Sequence, residues 1–318
     1  MGRTTAEPQS EQSVFRRMRM HLVINDRAGT VVGADVRTVA DRVALILAAA
    51  GHQVETEIVE PEQFDNSIKR ILAMNPDALI VGGGDGTIRS AATVMIGSRP
   101  ALGVLPLGTI NRLARDLKIP LDYEAAARAL ATARIQDIDV AEVNGRLFLC
   151  NAILGLTTRF SITRQRLRGK AFQERLSGYT TAMRELLRSR RRIRIRVSGG
   201  ARALRLRVLS LAVTNNAYAD EPSMSMYRPR LDRGTLAVYA SKHASGWRMV
   251  MAACKALFGR LSGDSDVVQL TSPRLTVDVP RRRSVPLSID GEIEELSTPL
   301  AFSVRPRALK VFVPVEHE

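Results

Sequence analysis

The fold is decided by the stretch Ala78-Leu79-Ile80-Val81-Gly82-Gly83-Gly84-Asp85-Gly86-Thr87. Its first four residues read as a short buried strand, and Ile88 to Ile96 reads as the helix that follows. Four glycines around one carboxylate and one hydroxyl lose much backbone entropy on folding. An ordinary turn needs one or two glycines, so the run asks for a reason, and phosphate supplies one. Backbone without Cβ atoms approaches a polyphosphate closely, its N–H groups turn inward, and the following helix N-terminus favours negative charge. On this reading Asp85 works through Mg²⁺ or bound water. On the bland alternative it is a turn-capping carboxylate in a loop that binds nothing.

The flanking sequence gives the loop its frame. Met20 to Ile24 is a first strand, ending in the polar loop Asn25-Asp26-Arg27-Ala28-Gly29. A helical period from Val36 to Leu47, an alternating strand at Val54, Thr56 and Ile58, and a helix marked by Phe64, Ile68, Ile71 and Leu72 come next. Beyond the glycine run, Leu102 to Leu105 is a fourth strand. It runs into a second small-residue loop, Pro106-Leu107-Gly108-Thr109-Ile110-Asn111, before helices over Arg112 to Lys118 and Tyr123 to Ala133. This alternation means right-handed βαβ units, a mostly parallel sheet, and both loops on its ligand-binding edge.

From Ile135 the pattern becomes β-rich. Asn144-Gly145 is a hairpin turn signal, and strands read at Leu147 to Cys150, Ile193 to Val197, Leu204 to Val213, Thr235 to Tyr239, Leu275 to Val279, Val285 to Ile289 and Leu309 to Val313. The expected division is a polar tail over 1–19, a nucleotide-binding α/β domain over 20–134 completed by 306–318, and a β-rich substrate domain over 135–305.

The 318 residues carry a formal charge of +15, and its placement says more than its size. Arg159 to Arg207 holds fifteen arginines and one lysine against two glutamates. Such a segment attracts an anionic membrane surface, nucleic acid or an acidic partner. Aromatics at 4% argue against a stacking platform for single-stranded nucleic acid. Cys150 and Cys254 offer neither a ligand cluster nor a disulfide framework, and His21, His52, His243 and His317 are scattered. No apolar run approaches the roughly 18 residues that span a bilayer, and Met1 to Ser13 reads as a polar tail without the apolar stretch expected of a signal peptide. The expectation is a cytoplasmic protein attached peripherally to the membrane.

With GGGDGT at 82–87, LPLGTINRLARDL at 105–117, LDRGTLAVY at 231–239, SIDGE at 288–292 and TPLAFSVRPRALKVFVP at 298–314, the chain resembles the diacylglycerol kinase catalytic-domain family. The similarity is to its bacterial soluble branch, which is related to the sphingosine kinases. The resemblance implies an N-terminal α/β domain, a C-terminal β-sandwich, ATP and Mg²⁺ as cofactors, and a lipid hydroxyl such as that of diacylglycerol as phosphate acceptor. It implies an ATP site at Asn25, Gly82, Gly83, Gly84, Asp85, Gly86, Thr87, Ile88 and Arg89 with Gly108, Thr109 and Asn111. It makes Glu292, beside Asp290, the general base. The family's DGxLD segment, part of a structural Mg²⁺ site, is here Arg233-Gly234-Thr235-Leu236-Ala237, and Asp232 is the nearest acid. Arg112 stands where the family has Asp after Asn111, and Val59 where it has Thr.

Phosphoryl transfer needs positioning, charge neutralisation and a base at the attacking hydroxyl. No Gly-x-x-x-x-Gly-Lys-Ser/Thr loop is present, so glycine-loop amides with the Thr87 and Thr109 hydroxyls take its place. On local pattern alone Asp290-Gly291 is a hairpin turn. Trp247, Met251, Leu257 and their helical neighbours form a stripe that either packs on a sheet or enters a membrane interface. Two other functions compete: a soluble-substrate kinase of the NAD kinase type, and a degenerate kinase fold that binds anionic lipid or nucleic acid.

Overall fold

The computed structural model describes residues 17–28, 35–156, 158, 172–199, 203–219, 227–257 and 266–315. The first lobe runs β1 (Arg19–Asn25), α1 (Val36–Ala49), β2 (Gln53–Val59), α2 (Phe64–Ala73), β3 (Ala78–Gly83), α3 (Asp85–Met95) and β4 (Ala101–Pro106). β1 pairs in parallel with β2 on one side and β3 on the other, and β3 pairs in parallel with β4. Every residue of β3 and β4 is buried, as parallel strands covered on both faces require. Helix α1 starts where the Asp35 carboxylate accepts the Thr38 N–H at 3.3 Å, and Gly51 follows its end at φ +93°. The chain leaves β1 towards β2 while β3 lies on the other side. The ends of β1 and β3, Asn25 and Gly83, therefore flank a topological switch point.

One boundary differs from the sequence reading in a way that matters. Helix α3 begins at Asp85, not at Ile88, so Gly82 and Gly83 are strand residues and Gly86 and Thr87 lie in the first helical turn. The glycine run is a tight strand-to-helix junction rather than an open loop. Short helices α4 (Arg112–Asp116) and α5 (Tyr123–Ala131) follow β4, with Asp122 capping α5 through the Ala125 N–H at 2.8 Å.

The second lobe contains β5 (Arg134–Val143), β6 (Arg146–Phe148), β7 (Asn151–Gly155), α6 (Phe172–Arg188), β8 (Ile193–Ser198), β9 (Leu204–Val208), β10 (Ser210–Asn215) and β11 (Leu236–Ser241). It continues with α7 (Gly246–Leu257), β12 (Val267–Ser272), β13 (Arg274–Asp278), β14 (Ser284–Ile289), β15 (Glu292–Ser297) and β16 (Leu300–Val313). A six-stranded antiparallel sheet, ordered β12-β11-β10-β7-β14-β15, faces the second-lobe part of a ten-stranded sheet in which eight strands run β2-β1-β3-β4-β16-β13-β8-β9 and β5, with β6 beside it, branches off β16. Phe148, Val213, Val238, Val277 and Phe302 fill the space between them, which makes this lobe a β-sandwich.

Two strands belong to both lobes. Along β5, Val140 packs in the first core and Ala141 in the second. β16 pairs with β5 over Phe302–Arg305 and again over Leu309–Val313, shifts register between the two stretches, and places Val311 beside Leu102 of β4 in parallel. Leu204 to Val213, read from sequence as one strand, is two. The chain turns a corner at the fully buried Leu209, so β9 edges the large sheet while β10 lies inside the other. Among the described residues no helix is long and apolar enough to cross a membrane.

Candidate active site

The two small-residue segments lie backbone against backbone. A Cβ on Gly108 would come within 2.5 Å of the Gly84 Cα, and the Leu107 N–H donates to the Gly83 carbonyl at 3.1 Å. Only glycine at 108 permits that approach, whereas a Cβ on Gly84 would make an ordinary contact with the Gly108 Cα at 3.5 Å. The Asp85 carboxylate crosses the contact and accepts the Arg112 N–H at 2.7 Å, tying the start of α3 to the start of α4. Thr87 is reached from the other side, where Asn25 at the end of β1 donates from Nδ2 to its hydroxyl at 3.1 Å. Val59 is paired across from Asn25, so that strand end carries no hydroxyl.

The carboxylate turn comes from the other lobe. β14 and β15 pair as far as Ile289 and Glu292, and the intervening Asp290 and Gly291 have φ of 47° and 92°. Two consecutive positive φ values are the signature of the tight hairpin that Asp-Gly favours. The turn delivers Glu292 onto the first turn of α3, where a Cβ on Gly86 would overlap Glu292 Oε1. Glu292 Oε2 accepts from Arg89 Nη2 at 2.5 Å, while Arg89 Nη1 donates to Glu294 Oε1 at 2.9 Å. Glycine junction, Arg89 and Glu292 are thus one cluster built from two lobes.

Asp290 plays a different part from its neighbour. It is buried, and its carboxylate accepts the N–H groups of Leu149, Cys150 and Asn151 at 2.7, 2.9 and 2.9 Å. A carboxylate so occupied holds the β6–β7 connection and positions the turn; it is not a free base. Burial, with the nearby Asp290 charge adding to it, pushes the Asp85 carboxyl above the usual carboxylate range against the N–H donors of Arg112 and Leu113.

Three further expectations are corrected by packing. Ile88 is 3% exposed and its N–H is committed to the Gly84 carbonyl, so its side chain belongs to the core. Gly82 sits inside β3 with the Ile24 and Leu107 side chains over it. Asn111, at φ 53°, exchanges hydrogen bonds with Gly108 N–H and C=O at 2.9 and 2.8 Å and so shapes its own loop. Thr109 is exposed beside it.

A diacylglycerol kinase catalytic domain profile matches residues 19–143. The Pseudomonas aeruginosa protein named Probable lipid kinase YegS-like is 32% identical over 254 residues, 78% of this chain and 80% of that one. This chain belongs to that lipid kinase family. A Klebsiella pneumoniae relative of the same name is 41% identical over 90 residues, a match spanning 28% of this chain and 30% of the relative. A solved structure described as a diacylglycerol kinase from Bacillus anthracis superposes over 94% of this chain and 98% of its own, with TM-score 0.70 and 18% identity. A second from that organism gives 0.73 at 20% identity. At those identities the likeness concerns the fold.

The structural metal implied by the family does not fit this chain. Asp232 is committed to Arg230, accepting from Nε and Nη2 at 2.8 and 3.1 Å, so it is corrected from candidate ligand to ion-pair partner. Arg233 and Ala237 hold the two acid positions. The buried carboxylate nearby, Asp139, is satisfied by protein donors: Gly234 N–H at 2.6 Å, Asn216 Nδ2 at 3.0 Å and Arg307 N–H at 2.9 Å. Among the described residues no group of three or more His, Cys, Asp or Glu is placed to hold a metal. A nucleotide-borne Mg²⁺ is another matter. Asp85, whose carboxyl is raised by burial and by the nearby Asp290 charge, suits a cation that arrives with phosphates and favours its ionised form.

Sequence reasoning missed Asp116 and Arg228. They form a buried pair, with Arg228 Nη2 2.6 Å from Asp116 Oδ2 and side chains 1% and 6% exposed. A single buried arginine leaves no periodic signal; it is visible only once its partner 112 residues away is placed beside it.

Proposed function

We propose that the protein transfers the γ-phosphoryl group of ATP to the hydroxyl of diacylglycerol or a similar long-chain lipid alcohol at a membrane surface. The observation that supports this most is the seating of Glu292 on Gly86. A carboxylate from the β-rich lobe rests on the helix N-terminus where the α/β lobe favours phosphate.

The residues divide the work accordingly. Backbone N–H groups around Gly84 to Thr87 and the exposed Thr109 hydroxyl face the phosphates of the donor. Asp85 would hold the Mg²⁺ that accompanies them, and that ion would supply charge neutralisation on the transferring group. Arg89 adds a second positive charge at the same place. Glu292 accepts the proton of the lipid hydroxyl as transfer proceeds. Asp290 contributes by fixing the turn.

Docking at the bilayer is assigned to the basic segment. Arg194 and Arg196 on β8 lie directly opposite Arg207 and Arg205 on β9, all four exposed, while Ile195, Val197 and Val208 face the core. Arg159 to Arg168, Lys170 and Arg202 lie outside the described residues. The test is phosphotransfer from γ-labelled ATP to a panel of diacylglycerols, long-chain alcohols and sphingoid bases in mixed micelles. Label in the organic phase supports the reading. Label only in the aqueous phase assigns a soluble-substrate kinase, and liposome binding without lipid-stimulated turnover assigns a non-catalytic lipid binder.

A further inference from the structure

Arg228 is the largest fully buried side chain among the described residues, at 1% exposure. Its guanidinium is fully engaged between the lobes. Nε and Nη2 donate to Asp116 Oδ2 at 3.1 and 2.6 Å, and its backbone N–H donates to Asp116 Oδ1 at 2.8 Å. Nη1 donates to the carbonyls of Leu149 and Asn215 at 2.7 and 2.6 Å, and Nη2 reaches Cys150 Sγ at 3.3 Å. One planar fork therefore gathers a carboxylate, two carbonyls and a thiol, which the point charge of a lysine does not match.

The partners of Arg228 lead to both halves of the cluster around Glu292. Asp116 ends α4, whose first N–H is held by Asp85. Leu149 and Cys150 begin the segment whose N–H groups are held by Asp290, one turn residue away from Glu292. Asp85 and Glu292 are thus joined by a continuous path through the junction: α4, Asp116, Arg228, the 149–151 segment and Asp290.

We propose that Arg228 is a positioning residue whose fixed side-chain cation holds this junction together. By binding Asp116 and the 149–151 segment together it sets Glu292 relative to Asp85, and the junction stands without a divalent metal. The consequence for turnover rests on the phosphotransfer reading; the metal independence and the local order do not.

The full chain without nucleotide is melted in excess EDTA and in millimolar Mg²⁺, and its metal content is measured. Coincident transitions and no bound divalent ion are expected. An EDTA-sensitive transition, or one tightly held ion per chain, overturns the proposal. Arg228→Lys keeps the charge and loses the fork, and Asp116→Asn keeps the shape and loses the charge. Each is expected to lower the melting temperature by roughly 10 °C. In the folded variants, amide hydrogen exchange rises selectively at 149–151 and 290–294, with α1 unchanged. Uniform acceleration marks a merely structural residue and overturns the positioning role. Where wild-type turnover is measurable, kcat falls about 10–100-fold with KM for ATP within about twofold; unchanged kcat per folded molecule overturns it. If the wild type transfers no phosphate, the phosphotransfer reading fails, and the melting and exchange results decide the junction on their own.

Discussion

Gly86 and Glu292, 206 positions apart in sequence, occupy one space: the carboxylate oxygen of Glu292 sits where a side chain at 86 would begin. Gly86 is in the first turn of α3 with a negative φ, so alanine there is compatible with the backbone and even favours the helix by up to about 1 kcal/mol. Glu292 is half exposed and can swing away. Gly86→Ala is therefore expected to leave the melting temperature unchanged or raised while phosphotransfer drops about 10–100-fold. Parallel loss of stability and activity would show that the glycine serves the fold alone.

Asp85 should behave in the opposite sense from a stabilising ion pair. Burial raises its carboxyl above the usual range, so the folded protein binds that proton more tightly than the unfolded chain. Folding is favoured by the protonated form, and this contribution is lost as pH rises from the usual carboxylate value through the raised one. Asp85→Asn keeps an acceptor for the Arg112 N–H and removes the titration. Without nucleotide, its melting temperature relative to wild type should climb from acid towards neutral pH, while turnover and Mg²⁺-dependent ATP binding are lost. A variant that melts lower at neutral pH, or that retains turnover, would contradict this placement of Asp85.

What the sequence made legible follows from how locally each feature is encoded. The strands of the first lobe appear as apolar runs because parallel strands are buried on both faces; Ala78 to Val81 and Leu102 to Leu105 fall within β3 and β4. The hairpins at Asn144-Gly145 and Asp290-Gly291 are visible because paired positive φ values demand those residues. The sequence pattern starts α3 late, at Ile88 rather than Asp85, because Gly86 is a poor helix former whose neighbour in space, Glu292, comes from another lobe. Asp290, Asn111 and Arg228 share that difficulty. Their roles are set by backbone groups or partners that only the tertiary fold brings near, and β16 hides its length because Pro306 and Arg307 interrupt its pattern.

Arg89 binds Glu292 and Glu294 together, which separates electrostatic from chemical roles. Glu292→Gln should lower kcat by about 10²–10⁴-fold, the range for a positioned general base, with nucleotide affinity nearly unchanged. Glu294→Gln, which shares Arg89 without resting on α3, should cost little turnover. Glu292 is half exposed, so the ion pair with Arg89 contributes at most about 1 kcal/mol and neither variant should melt far from wild type. If Glu292→Gln instead abolished ATP binding with kcat intact at saturation, Glu292 would be a nucleotide-site residue and not the base.

On the membrane-docking reading, substitutions in the arginine hairpin should move binding and stability in opposite directions. Arg194 opposite Arg207 and Arg196 opposite Arg205 are like-charge cross-strand pairs, which destabilise an antiparallel ladder. Arg207→Glu converts one such pair into an attractive one and should raise stability by up to about 1 kcal/mol. The same change removes a positive charge and adds a negative one at the membrane surface. At ~1 kcal/mol per charge this weakens binding to anionic vesicles by about 30-fold, and wild-type binding should fall steeply with salt. Trp247 and Met251, 55% and 40% exposed on one face of α7, would on the docking reading offer an apolar contact that salt does not screen. Trp247→Ala should therefore reduce the binding that persists at high salt and spare the salt-sensitive part. Vesicle sedimentation across a salt series, with and without anionic lipid, measures both components. Equal binding of the wild type and Arg207→Glu at low salt would remove the hairpin from the docking surface and leave α7 as the remaining contact.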